Sequence, residues 1–250
     1  MGTSQSSPGP GGGSPLVPPW ADDQPQSPLP LPMPARFKPF RQSLGSFVTS
    51  GNNTELKRAV GHYARKASGG SANAVRRMGS ITKAGGSLFG ALRGITAMPG
   101  ESSVDLKSLS GLPCEIAIST IAQALTTGGG DSDKIRIAMN HALAEALDGV
   151  ETFDLQCITD DVIVNTIIGY LAESIFLLIV MDAGKAWNKA QTPAQAMRAE
   201  TELRELVRVV VDKKLAPALT ESVQSFTRAQ MELLERQAVI EVWKEWENYR

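Results

Sequence analysis

Ten of the chain's fifteen prolines fall within its first 35 residues, together with five glycines. Proline lacks an N–H and clashes inside a helix, and glycine resists ordering, so this stretch is denied both helix and sheet. The rest of the chain holds only five prolines, which leaves long helices free to form. Aromatic residues are 6% of the sequence. Ala, Leu, Ile and Val carry the apolar load, which suits helix-on-helix packing better than a sandwich. The expected fold is all-α, an irregular helical bundle preceded by a long disordered Gly/Pro-rich N-terminal tail. Within that tail, Gly9-Pro10-Gly11-Gly12-Gly13 supplies flexibility and the spaced prolines from Pro25 to Pro34 favour extended polyproline II. The tail reads as a tether.

The near-zero net charge of −1 conceals an uneven distribution. Residues 1–35 carry only Asp22 and Asp23, residues 36–93 carry 11 Lys or Arg against Glu55 alone, and residues 94–250 carry 14 basic against 23 acidic residues. This divides the chain into a tail at 1–35, a basic helical segment at 36–96 and an acidic helical domain at 97–250. Two destinations are open to the basic segment: neutralisation by the acidic part within the fold, or an anionic partner. The two cysteines, Cys114 and Cys157, lie far apart in apolar surroundings and read as buried free thiols. The N-terminus has neither the basic nor the apolar region of a secretory leader. The strongest membrane candidate, Val162–Met181, contains Asn165 and Glu173, which are costly in lipid, so a buried core helix in a cytoplasmic protein is expected.

Phe40, Leu44, Phe47 and Val48 mark the apolar face of a first helix, stopped by Ser50-Gly51-Asn52-Asn53. Leu56, Val60, Tyr63 and Ala67 stripe a second, which Ser68-Gly69-Gly70 breaks. A third is expected over 72–95, where Gly86, Gly90 and Gly94 at four-residue spacing invite close approach of another backbone. A loop over 97–112 precedes helices at about 113–126 and 133–148. Thr159 is placed to cap a long helix reaching Trp187, with Asp160 and Asp161 in its first turn. Pro193 starts another helix, which Pro217 should interrupt. In the last, Val223, Phe226, Leu233, Ile240 and Trp243 suggest a heptad seam.

No catalytic residue, metal ligand set or cofactor fingerprint emerges, and the chain is expected not to be an enzyme. His62 and His141 belong to no ligand pattern, and His141 follows an apolar face as a core or edge histidine would. The Ser68–Gly70 and Gly85-Gly86 runs lie near Arg76, Arg77 and Lys83, but lack the spacing of a phosphate loop and suit tight turns and close packing better. Asp160 and Asp161 are adjacent and so point apart, which argues against a catalytic carboxylate pair. The basic segment offers Arg58, His62, Arg65, Arg76 and Arg77 as anion contacts, with Lys57 and Lys66 beside them. Nucleic acid is open to it but not favoured, because Tyr63, a stacking candidate, sits on the apolar stripe. At the other end, the small Gly2 permits removal of Met1 and leaves a free α-amine with no side chain to obstruct a modifying enzyme. Met1-Gly2-Thr3-Ser4-Gln5-Ser6 also formally matches a myristoylation pattern.

Gly2-Thr3-Ser4, Gly9-Pro10-Gly11-Gly12 and Pro15-Leu16-Val17-Pro18-Pro19-Trp20-Ala21 resemble the N-terminus of the QatB family, the B component of the bacterial Qat antiphage defence system. Ala59-Val60-Gly61-His62-Tyr63, Gly69-Gly70 and Ala74-Val75-Arg76-Arg77-Met78-Gly79 extend the resemblance. It implies a defence protein encoded beside an ATPase, a QueC-like enzyme and a TatD-like nuclease. It further implies that Gly2 is the acceptor of a deazaguanine attached by the QueC-like partner. Thr3, Ser4, Gly9, Pro10, Gly11 and Gly12 would then be read by that enzyme, and Trp20 with Pro18 and Pro19 would be a docking anchor. Zinc and ATP would belong to the partner, leaving this chain a scaffold without a cofactor of its own.

Overall fold

The computed structural model describes residues 9–22, 24, 26–126 and 128–250. Among the described residues there is no strand, only one isolated antiparallel bridge between Pro113 and Thr152. The α-helices are α1 (Lys38–Ser50), α2 (Asn53–His62), α3 (Ser71–Arg77), α4 (Gly79–Leu92), α5 (Cys114–Leu125), α6 (Ser132–Ala146), α7 (Asp160–Ala183), α8 (Pro193–Ser222) and α9 (Arg228–Glu247). They belong to two compact units. Unit 1 is Met1–Met78, Ile175–Val210 and Val239–Arg250, and unit 2 is Gly79–Ser174 and Val211–Ala238. The units cut across the charge boundary at residue 96, because the later parts of α7, α9 and the first part of α8 are grouped with the N-terminal helices.

In unit 1 the local signals act as the sequence requires. Pro39 sits in the first turn of α1, where a missing N–H costs nothing, and Gly51 closes the helix in the left-handed region at φ 68°. Asn52 then caps α2, its side chain accepting from the Thr54 N–H at 2.9 Å. Phe40, Leu44, Phe47 and Val48 are fully buried, as are Val60, Tyr63 and Ala67 within 2%. Burial of each such large side chain stabilises by about 1.5–3 kcal/mol. A single π turn, Tyr63–Ala67, follows α2, with the Ser68 N–H donating five residues back to the Tyr63 carbonyl. Rings run in series from Phe40 to Tyr63 (5.0 Å), Trp243 (6.2 Å) and Trp246 (5.3 Å). The Trp243 Nε1–H donates to Ser68 Oγ at 2.8 Å.

The tail departs from expectation. Between Gly9 and Asp22 it is held against the body, with Leu16, Val17 and Ala21 each no more than 7% exposed, whereas most described residues from Gln24 to Ala35 are exposed. The expected disorder of 1–35 is therefore corrected for its described part: proline and glycine forbid ladders, but side chains from elsewhere can still hold an irregular segment.

In unit 2, α4 is glycine-faced toward α9. A Cβ on Gly86 would stand 2.8 Å from the Arg228 carbonyl, and one on Gly90 would meet the Arg228 side chain. The close approach read from Gly86 and Gly90 is thus present, and Gly85 joins it by lying against the Glu235 carboxylate. Gly94 does not; it lies past the helix at φ 66° with open space around it. The Tyr170 hydroxyl donates to the Ile81 carbonyl at 2.8 Å. On α5 and α6, Ile121, Leu125, Met139 and Leu143 are fully buried.

Three further expectations are corrected. The helix over 72–95 is two, α3 and α4, separated at Met78. Pro217 does not interrupt α8. A proline deletes one backbone hydrogen bond, and here burial of Leu215 and Leu219 on either side outweighs that loss. The heptad seam on α9 is displaced: Leu233 is 65% exposed, and the buried face is instead Met231, Glu235, Ala238, Val239, Val242, Trp243 and Trp246. Thr159 does cap α7, accepting from the Val162 N–H at 3.3 Å. The helical run Asp160–Lys189 is long and apolar enough to cross a membrane by length and composition, and 78% of its most apolar window is buried.

Candidate functional site

The clearest concentration of chemistry lies where unit 1 grips the N-terminal strap. Arg36 and Arg41 sit at the start of the first helix, with both guanidinium groups on the Phe37 ring, 4.6 and 4.8 Å from its centroid. Arg41 donates from Nε to the Asp182 carbonyl at 2.9 Å and from Nη2 to the Pro10 carbonyl at 2.8 Å. Gly9, at φ 67°, passes so close that a Cβ there would stand 2.6 Å from Arg41 Nη2 and 3.1 Å from the Gly184 Cα. Only glycine fits both the conformation and the space. Arg36 Nη2 donates to the Pro15 carbonyl at 3.2 Å, and the Leu16 side chain covers Gly69.

Farther along, Arg76 closes the strap. Its Nε and Nη2 donate to both oxygens of Asp22 at 2.7–3.0 Å, and Nη2 also donates to the carbonyls of Gln24 and Ser27 at 2.7 and 3.0 Å. Both side chains of this pair are only 10% exposed. The Arg76 hydrogen bonds hold the Asp22 carboxyl below its usual range. Beneath the strap, buried Asp182 accepts from the Tyr63 hydroxyl at 2.9 Å. Burial pushes the Asp182 carboxyl up, against the attraction of Arg77, the Tyr63 hydrogen bond, Arg36 and Arg41. Burial likewise pushes the Tyr63 hydroxyl well up.

Beside Gly12 opens a groove of about 1240 Å³ whose lining includes Lys38, Arg41, Arg58, Lys185 and Lys189, with Glu55 its single acid. Because Glu55 already pairs with Arg58, the groove is strongly basic.

The residues singled out from the sequence divide sharply. Gly2, Thr3 and Ser4 lie outside the described residues. Gly9, Pro10 and Gly12 belong to the strap beside the groove, and Gly11 is exposed. Pro18 is buried, whereas Pro19 is exposed and Trp20 is 57% exposed. Arg58, His62 and Arg65 lie together along α2 and the π turn. The His62 ring is held below its ordinary pKa first by burial, then by Arg65, Lys66 and Arg58. Arg65 donates to the carbonyls of Glu247 and Tyr249 at the chain's end. Arg76 holds the strap and Arg77 acts on Asp182, so the five anion-contact candidates do not form one patch. Sequence reasoning missed Arg36, Arg41, Asp22 and Asp182. The available signal was an Asp in an otherwise almost uncharged tail and an Arg ending the proline tract.

Elsewhere, Cys114 is buried and Cys157 half-buried, both as free thiols, with the Cys114 thiol pushed up by burial. His141 is exposed, so it is not a core residue, although Ala142 beside it and Ala138 are buried. Among the described residues no three His, Cys, Asp or Glu are grouped as a metal site.

The family model described as Qat anti-phage system associated protein QatB matches residues 69–245. No curated protein and no solved structure matches the chain. The match starts where the strap's contacts with Gly69 and Arg76 begin and spans most of the helical body. The chain therefore belongs to the QatB family and is a component of the Qat antiphage system.

Proposed function

We propose that this chain is a non-catalytic, cytoplasmic scaffold subunit that offers its N-terminal glycine, Gly2, for attachment of a deazaguanine-type group by a QueC-like partner enzyme. The observation that carries this reading is the anchoring of the strap by Arg41 at Pro10 and by Arg76 at Asp22. A tail meant only as a linker needs no such fixation. A terminus to be offered to an enzyme gains from a defined point of departure, since immobilising it in advance lowers the ordering cost on binding. Six residues separate Gly2 from Gly9, and the seven Cα-to-Cα steps reach at most about 25 Å. An α-amine, with an ordinary pKa of about 8, is partly neutral at physiological pH and can attack an activated carboxyl group. An amide then forms and the activating group leaves. The ATPase and TatD-like nuclease of the system are further candidate partners for the helical body.

The test is the intact mass of the purified chain, with tandem mass spectrometry of its N-terminal peptide, after co-expression with and without the QueC-like enzyme. An added mass on Gly2 only in its presence is expected, with loss of that mass in Gly2→Pro. A bare Gly2 under both conditions rules the reading out.

The basic groove favours one alternative, a nucleic-acid-binding module that uses the segment 36–93 together with Lys185 and Lys189. Binding to single-stranded DNA or RNA that weakens steeply with salt, and weakens again in Lys38→Glu, would support it. No binding at low salt would remove it. Arg76 is unsuitable for this test, because reversing its charge would release Asp22.

A further inference from the structure

Past the point where Arg76 grips the strap at Asp22 and Ser27, and before Arg36, lies a segment that the modification of Gly2 does not use. Pro28-Leu29-Pro30-Leu31-Pro32-Met33-Pro34 places proline at every second residue. Each proline ring fixes its own φ near −65°, and each residue ahead of a proline is kept out of the helical region. Every position is thus driven toward polyproline II, over about 22 Å for seven residues. Among the described residues, 28–32 make no backbone hydrogen bond. The flanks are held: the Ser27 N–H donates to Gln24 O, Arg76 binds Ser27 O, and the Arg36 N–H donates to Met33 O.

Exposure along the segment follows the three-residue period of polyproline II. Leu29 and Pro32 are half-buried, forming the inward ridge. Pro28, Leu31 and Pro34 form a second ridge, and Pro30 and Met33 a third; all five are exposed, Leu31 by 91% and Met33 by 62%. No charged residue occurs from Gln24 to Ala35. An isolated exposed Leu means little. Two uncharged apolar ridges on a rigid, end-anchored extended segment are a different matter, since binding them costs little conformational entropy.

We propose that residues 28–34 are a docking strip for another protein of the same antiphage system, one that reads polyproline II through a groove of parallel aromatic side chains. Leu31 and Met33 fill the spaces between the partner's rings, while the half-buried Leu29 and Pro32 stay out of the contact. The strip is uncharged, so its binding is largely insensitive to salt, unlike any binding through the basic groove. The inference is independent of whether Gly2 is modified.

To test it, each companion protein of the system is purified and titrated against the full chain at low and high salt. The variants are wild type, Leu31→Asp with Met33→Asp, and Gln26→Asp as a charge control on an exposed neighbour. Circular dichroism confirms that helix content is unchanged. At least one companion is expected to bind wild type and Gln26→Asp equally, and the double variant at least about tenfold more weakly, at both salt levels. Photo-leucine at position 31 should cross-link to a peptide of that companion containing Trp or Tyr. If no companion binds, if binding is indifferent to the double variant, or if the cross-link falls on a surface without aromatic residues, the proposal is overturned.

Discussion

Unit 1 and unit 2 both bury acids among helices, and two of these acids, Asp182 and Glu235, are treated in opposite ways. In unit 1, Asp182 is buried with the Tyr63 hydroxyl bound to it and Arg36, Arg41 and Arg77 acting on it. In unit 2, Glu235 is fully buried on α9 against Gly85, and neither carboxylate oxygen has a partner among the described residues. Burial, and then the neighbouring Glu232, pushes the Glu235 carboxyl well above its ordinary range. A buried charge is tolerable when other groups answer it and otherwise gives way to the neutral acid. In unit 1 two of the cations that answer Asp182, Arg36 and Arg41, also reach outward to the strap's carbonyls, so the same groups serve the core and the N-terminus. Glu235 is silenced instead.

The sharpest way to break the contrast is Asp182→Ala. It orphans the Tyr63 hydroxyl and removes the counter-charge of three guanidinium groups, and should cost about 3 kcal/mol in urea unfolding. The strap should loosen with it, giving faster proteolysis between Gly9 and Asp22. Next in size is Gly85→Ala. A Cβ there collides with the buried Glu235 carboxylate, and a loss of about 1–3 kcal/mol is expected by the same measurement. Pairing it with Glu235→Ala should recover part of that loss, because the colliding group is then gone.

Glu235→Gln should move stability the other way, by on the order of 1 kcal/mol at neutral pH. The sign follows from the raised pKa. Above the ordinary value of 4.5 the unfolded chain releases this proton while the folded chain retains it. Wild-type stability therefore declines as pH climbs from there through the folded value, and the variant should lack that decline. The smallest effect belongs to the strap. Asp22 has a lowered folded pKa, so its contribution is present above 3.8 and is lost as pH falls through the folded value. Asp22→Asn should leave urea unfolding nearly unchanged while raising the proteolysis rate of the strap at neutral pH, and should match wild type at strongly acid pH.

Much of unit 1 was legible in the sequence because its signals are local. The Phe40–Val48 and Leu56–Ala67 stripes, the Gly51 stop and the Asn52 cap each act within one or two turns. The strap was not legible, since Asp22 and Arg76 are 54 positions apart and nothing in a Pro/Gly composition announces a distant arginine. The face of α9 was misread for a related reason. Its buried stripe includes Glu235, and a charged residue on a core face makes the true period look polar. Pro217 shows tertiary burial overriding a local rule. The docking chemistry of Gly9 was visible only as flexibility, whereas its actual demand is for space beside Arg41 and Gly184.

The most direct test of the central claim is the mass of the N-terminal peptide from chains co-expressed with the proposed QueC-like partner, compared between wild type and Arg41→Ala. An adduct on Gly2 in wild type, reduced in Arg41→Ala while both proteins remain folded, is the expected result. An unmodified Gly2 in wild type with the active partner present would contradict it, and an adduct equally abundant in both would show that the strap does not present the terminus.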